Sequence, residues 1–197
     1  MEHLSKKKLV YLYVTKKQSV SQIAKTFDCS LHKVDYWLQR YSVPKRSIGE
    51  AMYAKRNPNG DPFFVKKPTT IAEATLQGLG FGLYWGEGTK SDRNSVRLGN
   101  TDVRLIKKFI QFLVQLYGVD KKRLKFGLQI FNDVSPQKAR QFWCSKLRIM
   151  PKQFQKVVIS KVRGNGSYKH KSQHGVLTVY FNNTKLRNII FGEIERL

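Results

Sequence analysis

Residues 78–90 read GLGFGLYWGEGTK, and the fold turns on whether they end a helix or form a glycine loop. Ile71, Thr75, Leu79 and Leu83 stand four apart, a helical period that predicts a helix ending near Glu87. A glycine inside a helix costs about 1 kcal/mol relative to alanine, so something must recover that loss. Gly78, Gly82 and Gly86 recur every four residues and fall in one stripe without side chains. A second helix can approach such a stripe backbone to backbone and regain the loss by packing. The stripe reads as an interface. A phosphate-binding loop needs GxxxxGK[ST], or GxGxxG after a strand. This run has GxGxG inside a helical pattern, with Thr89 and Lys90 in reverse order, so no nucleotide cofactor is expected.

Outward from this stretch, 197 residues with 41% hydrophobic and 12% aromatic content are enough for a packed core. The formal net charge is +24, with 14 basic and 5 acidic residues over 1–68 and 23 and 8 over 69–197. A surplus carried by both halves points to a polyanionic partner, nucleic acid. No run of 18 apolar residues, basic amphipathic helix or lipidation signal points to a membrane. Charges interrupt residues 1–17, so no secretory leader is read there. Cys29 and Cys144 fit no metal-pair spacing and read as small buried hydrophobes. The expectation is a reduced, intracellular, cytoplasmic protein associated with DNA.

Three segments follow from composition: a helix-turn-helix over 1–45, a basic linker over 46–68 and a larger domain over 69–197. In the first, Ile23, Ala24 and Phe27 share one helical face, Asp28-Cys29-Ser30 makes a turn, and Leu31, Val34, Trp37 and Leu38 return at helical spacing. Asp28 stands where a residue tolerant of positive φ is needed, and Ser30 is placed to cap the second helix. His32, Lys33, Tyr36, Gln39 and Arg40 then point outward as base and phosphate contacts, with Ser30 at their head. Lys45 and Arg46 lie near the start of a seam over 42–68 that holds four prolines and a PNGDP turn cluster. It is basic enough to lie along DNA, and its IGEAMYAKR portion reads as helical.

In the larger domain SVRLGN, RLKFGLQIF, FQKVVISKV and GVLTVYFNN read as strands. Residues 102–118 read as an amphipathic helix, 135–149 as a helix with a Ser-Pro start, and 184–197 as a closing helix. The fold class expected is α+β: an all-α N-terminal part, then an α/β domain with a four-stranded antiparallel sheet. If Leu124, Phe126, Leu128 and Ile130 point inward, Arg123, Lys125 and Gln129 face a ligand, and by the same alternation so do Thr178 and Tyr180. Arg97 lies on the first strand. The basic loop over 163–175 offers Lys169 and Lys171; its His170 and His174 read as part of a solvated turn.

Residues 80–88, GFGLYWGEG, resemble the LAGLIDADG homing endonuclease family. Gly82, Leu83 and Gly88 are identities, Gly86 matches the small penultimate residue, and Glu87 matches the terminal acid. Phe81, Tyr84 and Trp85 depart from the pattern, Trp85 standing at the first acid. One motif is present, and single-motif members of the family are homodimers in which two motif helices pack together and each sheet saddles the major groove. The resemblance implies a homodimer paired through Gly78, Gly82 and Gly86, and a Mg²⁺ or other divalent site at Glu87 and Gly86. It also implies a lysine and a glutamine near the scissile phosphates, for which Lys161 and Gln129 are the candidates. The long helix at 102–118 stands where the family often has a tight hairpin.

Two function classes stand out. One is a site-specific, metal-dependent endonuclease acting on double-stranded DNA as a homodimer. The other is a catalytically silent descendant that binds DNA as a transcriptional regulator. A recombinase is disfavoured because neither an R-H-R-Y array nor a resolvase serine context is present.

Overall fold

In the computed structural model, which describes residues 3–161 and 173–197, the chain divides into two units, Met1–Asp61 and Pro62–Leu197. The division falls inside the 46–68 stretch.

In the first unit α1 (Lys6–Val10) runs on through a π-helical turn (Tyr11–Thr15) and is followed by α2 (Val20–Thr26), α3 (Leu31–Arg40) and α4 (Ile48–Arg56). The starts of α2 and α3 have local causes. The Gln22 amide donates to the Ser19 hydroxyl (3.2 Å) while the Ser19 amide donates to the Gln22 side chain (2.8 Å), a reciprocal cap. The Lys33 amide donates to the Ser30 hydroxyl (3.2 Å), as the sequence indicated. Asp28 takes φ 48°, the left-handed conformation expected of the turn. Leu9, Tyr13, Ile23, Ala24, Val34 and Leu38 are buried together, and the small Ala24 lets α2 and α3 come close.

The second unit contains α5 (Ile71–Glu87), β1 (Val96–Asn100), α6 (Val103–Tyr117), β2 (Lys125–Phe131), α7 (Pro136–Leu147), β3 (Val158–Ser160), β4 (Val176–Phe181) and α8 (Thr184–Ile194). It is α+β with a four-stranded sheet in the order β1-β4-β2-β3. The sheet is mixed, not antiparallel as expected. β4 pairs antiparallel with both β1 and β2, whereas β3 lies parallel to β2, with Gln129 opposite Val158 and Phe131 opposite Ser160. The cause is topological. A tight turn joins only antiparallel neighbours, while α7 supplies the helical crossover that a parallel pair requires. α6 likewise carries the chain from β1 to β2, leaving a gap that β4 fills.

Alternation along the strands makes one sheet face the core. Val96 and Leu98, Phe126, Leu128 and Ile130, and Leu177, Val179 and Phe181 are buried among residues from α5, α6, α7 and α8. α6 ends at Gly118 (φ 55°), a left-handed cap that a bulkier residue would strain. The segment leading into α5 is tied to the same place, the Phe64 and Lys66 amides donating to the Tyr117 and Leu116 carbonyls (3.0 and 2.8 Å). Cys29 and Cys144 are free and half-buried, and burial raises the Cys144 thiol. No helix among the described residues is long and apolar enough to cross a membrane.

Candidate functional site

α5 is fastened at its start. Thr70 accepts from the Glu73 amide (3.2 Å), and the Glu73 carboxylate accepts from the Thr69 amide (2.9 Å), the Thr69 hydroxyl (3.0 Å) and the Lys66 ammonium. Lys66 first, and then the Thr69 amide, hold that carboxyl down at about 2. From there α5 buries Leu76, Gly80, Phe81 and Tyr84. Phe81 meets Phe112 edge-on (5.6 Å), and Tyr84 stacks parallel to Phe109 (6.2 Å, 6°). Gly80 is where α5 and α6 touch most closely; a Cβ there would overlap the Phe112 ring.

The opposite side of α5 is open. Ile71 is 88%, Leu79 42% and Trp85 63% exposed, and a Cβ built on Gly78, Gly82 or Gly86 meets nothing within 4 Å. A helix apolar around its circumference is ordinarily buried all round, whereas α5 is buried along one side only. The glycine stripe read from the sequence lies on this uncovered side.

Glu87 is the last residue of α5 and is exposed. After it the chain turns to β1. Gly88 is extended (φ −73°, ψ 145°), donates to the Tyr84 carbonyl (2.9 Å) and bridges to Leu98, and the Thr89 amide donates to the Arg97 carbonyl (2.9 Å). The Lys90 ammonium donates to the Trp85 carbonyl, and Arg187 Nη2 donates to the Lys90 carbonyl (3.0 Å). Asp92 accepts from the Asn94 amide and the Ser95 hydroxyl (both 2.8 Å) and pairs with Arg97 (2.7 Å). These contacts, the Asn94 amide foremost, lower its pKa. Its carboxylate is committed to the loop.

The second face of the sheet carries the residues that alternation assigned to it. Arg97, Tyr180 and Lys125 form one row across β1, β4 and β2, and Gly99, Thr178 and Gly127 form the next. The Arg97 guanidinium lies 4.5 Å over the Tyr180 ring. The two glycines leave room for this surface: a Cβ on Gly127 would stand 2.6 Å from the Tyr180 hydroxyl, and one on Gly99 2.9 Å from the Thr178 hydroxyl. Arg123 is exposed just before β2. Gln129 donates to the Ser160 hydroxyl (3.2 Å), so it and Lys161, the next residue, share the β2–β3 edge. Glu87 lies beyond the β1 edge, and the strand order puts three strand spacings, about 14 Å at ~4.8 Å each, between its segment and β2. One chain therefore does not gather Glu87, Gln129 and Lys161. Lys169 and Lys171 lie outside the described residues.

On α3, Val34 and Leu38 are buried while His32, Tyr36, Gln39 and Arg40 are exposed and Lys33 is half-buried. Tyr36 stands edge-on to Trp37 (5.4 Å). Lys45 and Arg46 are used within the unit. Lys45 pairs with Asp35 (2.9 Å), and the Arg46 guanidinium lies 4.4 Å over Tyr13 and donates to the Lys17 carbonyl (2.9 Å) and the Gln18 carbonyl.

Sequence reasoning missed Gly80 and Arg187, while Asp92 is the loop residue that the sequence suggested. Gly80 is offset by two from the four-residue stripe, which was itself the signal that it faces the other way. Nothing local marks Arg187, whose acceptor is 97 residues away. No protein-family model, curated protein or solved structure matches the chain.

Proposed function

We propose that the chain is a site-specific double-stranded DNA endonuclease of the LAGLIDADG type that works as a homodimer with a divalent cation, Mg²⁺ by preference. The observation that carries this reading is the open apolar side of α5, its glycines clear of any neighbour and its end an exposed carboxylate. Two such helices packed through Gly78, Gly82 and Gly86 bring two Glu87 side chains together. Their charges repel unless a cation lies between them, and each already stands at the negative end of a helix dipole. Mg²⁺ takes few protein carboxylates and fills its octahedron with water and phosphate oxygens. The residues therefore fit: Glu87 of both copies would hold the ion, with the Gly86 backbone beside it. When bound, the ion supplies charge neutralisation at the scissile phosphate and a water of lowered pKa.

The remaining surfaces hold the duplex. The outer sheet face presents Arg97, Lys125, Gln129, Thr178 and Tyr180, with Arg123 beside them; Lys169 and Lys171 are proposed as further phosphate contacts. Gln129 and Lys161, distant from Glu87 of their own chain, grip the backbone away from the ion. In the first unit α2, the Asp28 turn and α3 act as a helix-turn-helix that extends the footprint through Ser30, His32, Lys33, Tyr36, Gln39 and Arg40.

The test is Mg²⁺-dependent nicking of supercoiled DNA carrying a site selected from random duplexes by the protein. Binding should weaken by orders of magnitude between roughly 50 and 200 mM salt if six or more phosphates are neutralised. Glu87→Gln should abolish cleavage while leaving dimer and DNA affinity intact. A Glu87→Gln protein cutting at the wild-type rate, or a wild type that cuts none of its bound sites, would replace the endonuclease by a DNA-binding regulator.

A further inference from the structure

We propose that Arg187, on α8, is a positioning residue for Glu87, a role that rests on the endonuclease reading. A helix ends with four carbonyls that lack intrahelical partners, and the usual remedy is a left-handed glycine just past the end. α5 does not use it, because Gly88 is extended. The Gly88 amide satisfies the Tyr84 carbonyl, and the Lys90 side chain reaches back to the Trp85 carbonyl. That second bond is only as firm as the backbone carrying Lys90, and Arg187 fixes this backbone by donating to the Lys90 carbonyl (3.0 Å). The guanidinium is itself fixed, lying 4.3 Å over the ring of Phe191 one turn further along α8.

Three features separate this arrangement from an ordinary surface arginine. Arg187 is half-buried, its Nε is fully buried without a hydrogen-bond partner, and no ion pair among the described residues involves it. Its charge is thus not neutralised by a carboxylate of its own. Lys90 and Arg187 instead serve the end of α5, where the dipole is negative and Glu87 adds a full charge. The Tyr84 hydroxyl is buried within reach of the Arg187 side chain. The chain Arg187, Lys90, Trp85 therefore runs from the last helix to the turn that aims Glu87, and a small misplacement of a metal-holding carboxylate is costly in rate.

The experiment uses the full chain with Arg187→Ala and Arg187→Lys. Single-turnover nicking with Mg²⁺ is measured alongside DNA affinity and amide hydrogen exchange. For Arg187→Ala the expected result is a rate lower by roughly tenfold or more, with DNA affinity changed by less than about threefold. Exchange should quicken at Glu87–Lys90 while amides of β2 and β4 keep their protection. Arg187→Lys keeps the charge but lacks the forked donor, and should recover little of the rate. A wild-type rate in Arg187→Ala, or a rate loss accompanied by faster exchange throughout β2 and β4, overturns the proposal. If the wild type never cuts, the endonuclease reading falls by itself. The clamp is then decided by exchange: quickening confined to Glu87–Lys90 supports it, and no change overturns it.

Discussion

α6 turns Ile106, Phe109, Phe112, Leu113 and Leu116 inward and keeps Arg104, Lys107, Lys108 and Gln115 in solvent, whereas its neighbour α5 buries Leu76, Phe81 and Tyr84 and leaves Ile71, Leu79 and Trp85 outside. Both pack against the same core. α6 is finished within one chain, since its polar side is where water is. α5 has a second apolar side on which nothing packs among the described residues of its unit, and a contiguous exposed apolar patch marks an interaction surface. The lesson lies in the glycines. Gly80 serves the interior contact with Phe112, while Gly78, Gly82 and Gly86 leave bare backbone on the open side, where the proposed homodimer would pack.

Substitutions at two glycines separated by half a turn should break this comparison or sharpen it. The larger effect belongs to Gly80→Ala. The added methyl overlaps the fully buried ring of Phe112, and overpacking of this kind costs about 1–3 kcal/mol, more than the roughly 1 kcal/mol that alanine returns in helix propensity. The expected outcome is a lower denaturant midpoint in urea. A midpoint at or above wild type would mean that α5 and α6 do not meet at Gly80.

Gly82→Ala should move the other way. Its methyl enters open space, so only the propensity gain of about 1 kcal/mol remains and the monomer should become more stable. Gly82→Leu places bulk on the same row and should leave the folded unit intact while sedimentation finds monomer only. A destabilised Gly82→Ala monomer would show that this side of α5 is covered within the chain, and an intact Gly82→Leu dimer would move the pairing surface elsewhere.

The same contrast marks what was legible in the sequence. Period and caps carried the elements: the helix read over 102–118 is Val103–Tyr117, Ser135 accepts from the Lys138 amide (3.4 Å) at the start of α7, and Lys125 and Gln129 lie on the face assigned by strand alternation. Asp28 took positive φ because a turn of that length requires it. The strand pairing was not legible. Alternation fixes which face a residue takes but not which strand lies beside it, and Val158 and Ile159, apolar yet exposed at the sheet's edge, gave β3 no pattern from which to read a direction. The site divided in the same way. The exposed end of α5 at Glu87 and its open glycines follow local spacing, whereas the Arg187 anchor depends on a contact spanning nearly half the chain.

The smallest effect concerns the two acids of α5, which stand in opposite settings. Glu73 is in the first turn, where the dipole favours an anion and where Lys66 and Thr69 reach it; Glu87 closes the last turn, where the dipole opposes it. Glu73 therefore belongs to the fold, whereas Glu87 is left exposed at the end of the helix. The sign of the pH dependence follows from the depressed value. The ordinary carboxyl value is 4.5 and the folded value about 2, so the folded state holds fewer protons than the unfolded state between them. The stabilisation from Glu73 is complete above 4.5 and is lost as pH falls through about 2. The carboxylate is at the surface, so salt should reduce the effect. Glu73→Gln is expected to lower the denaturant midpoint slightly at pH 7 and to leave a smaller loss of stability between pH 5 and pH 2 than in the wild type. Identical acid limbs for the two proteins would show that Lys66 and Thr69 do not hold the start of α5 in solution.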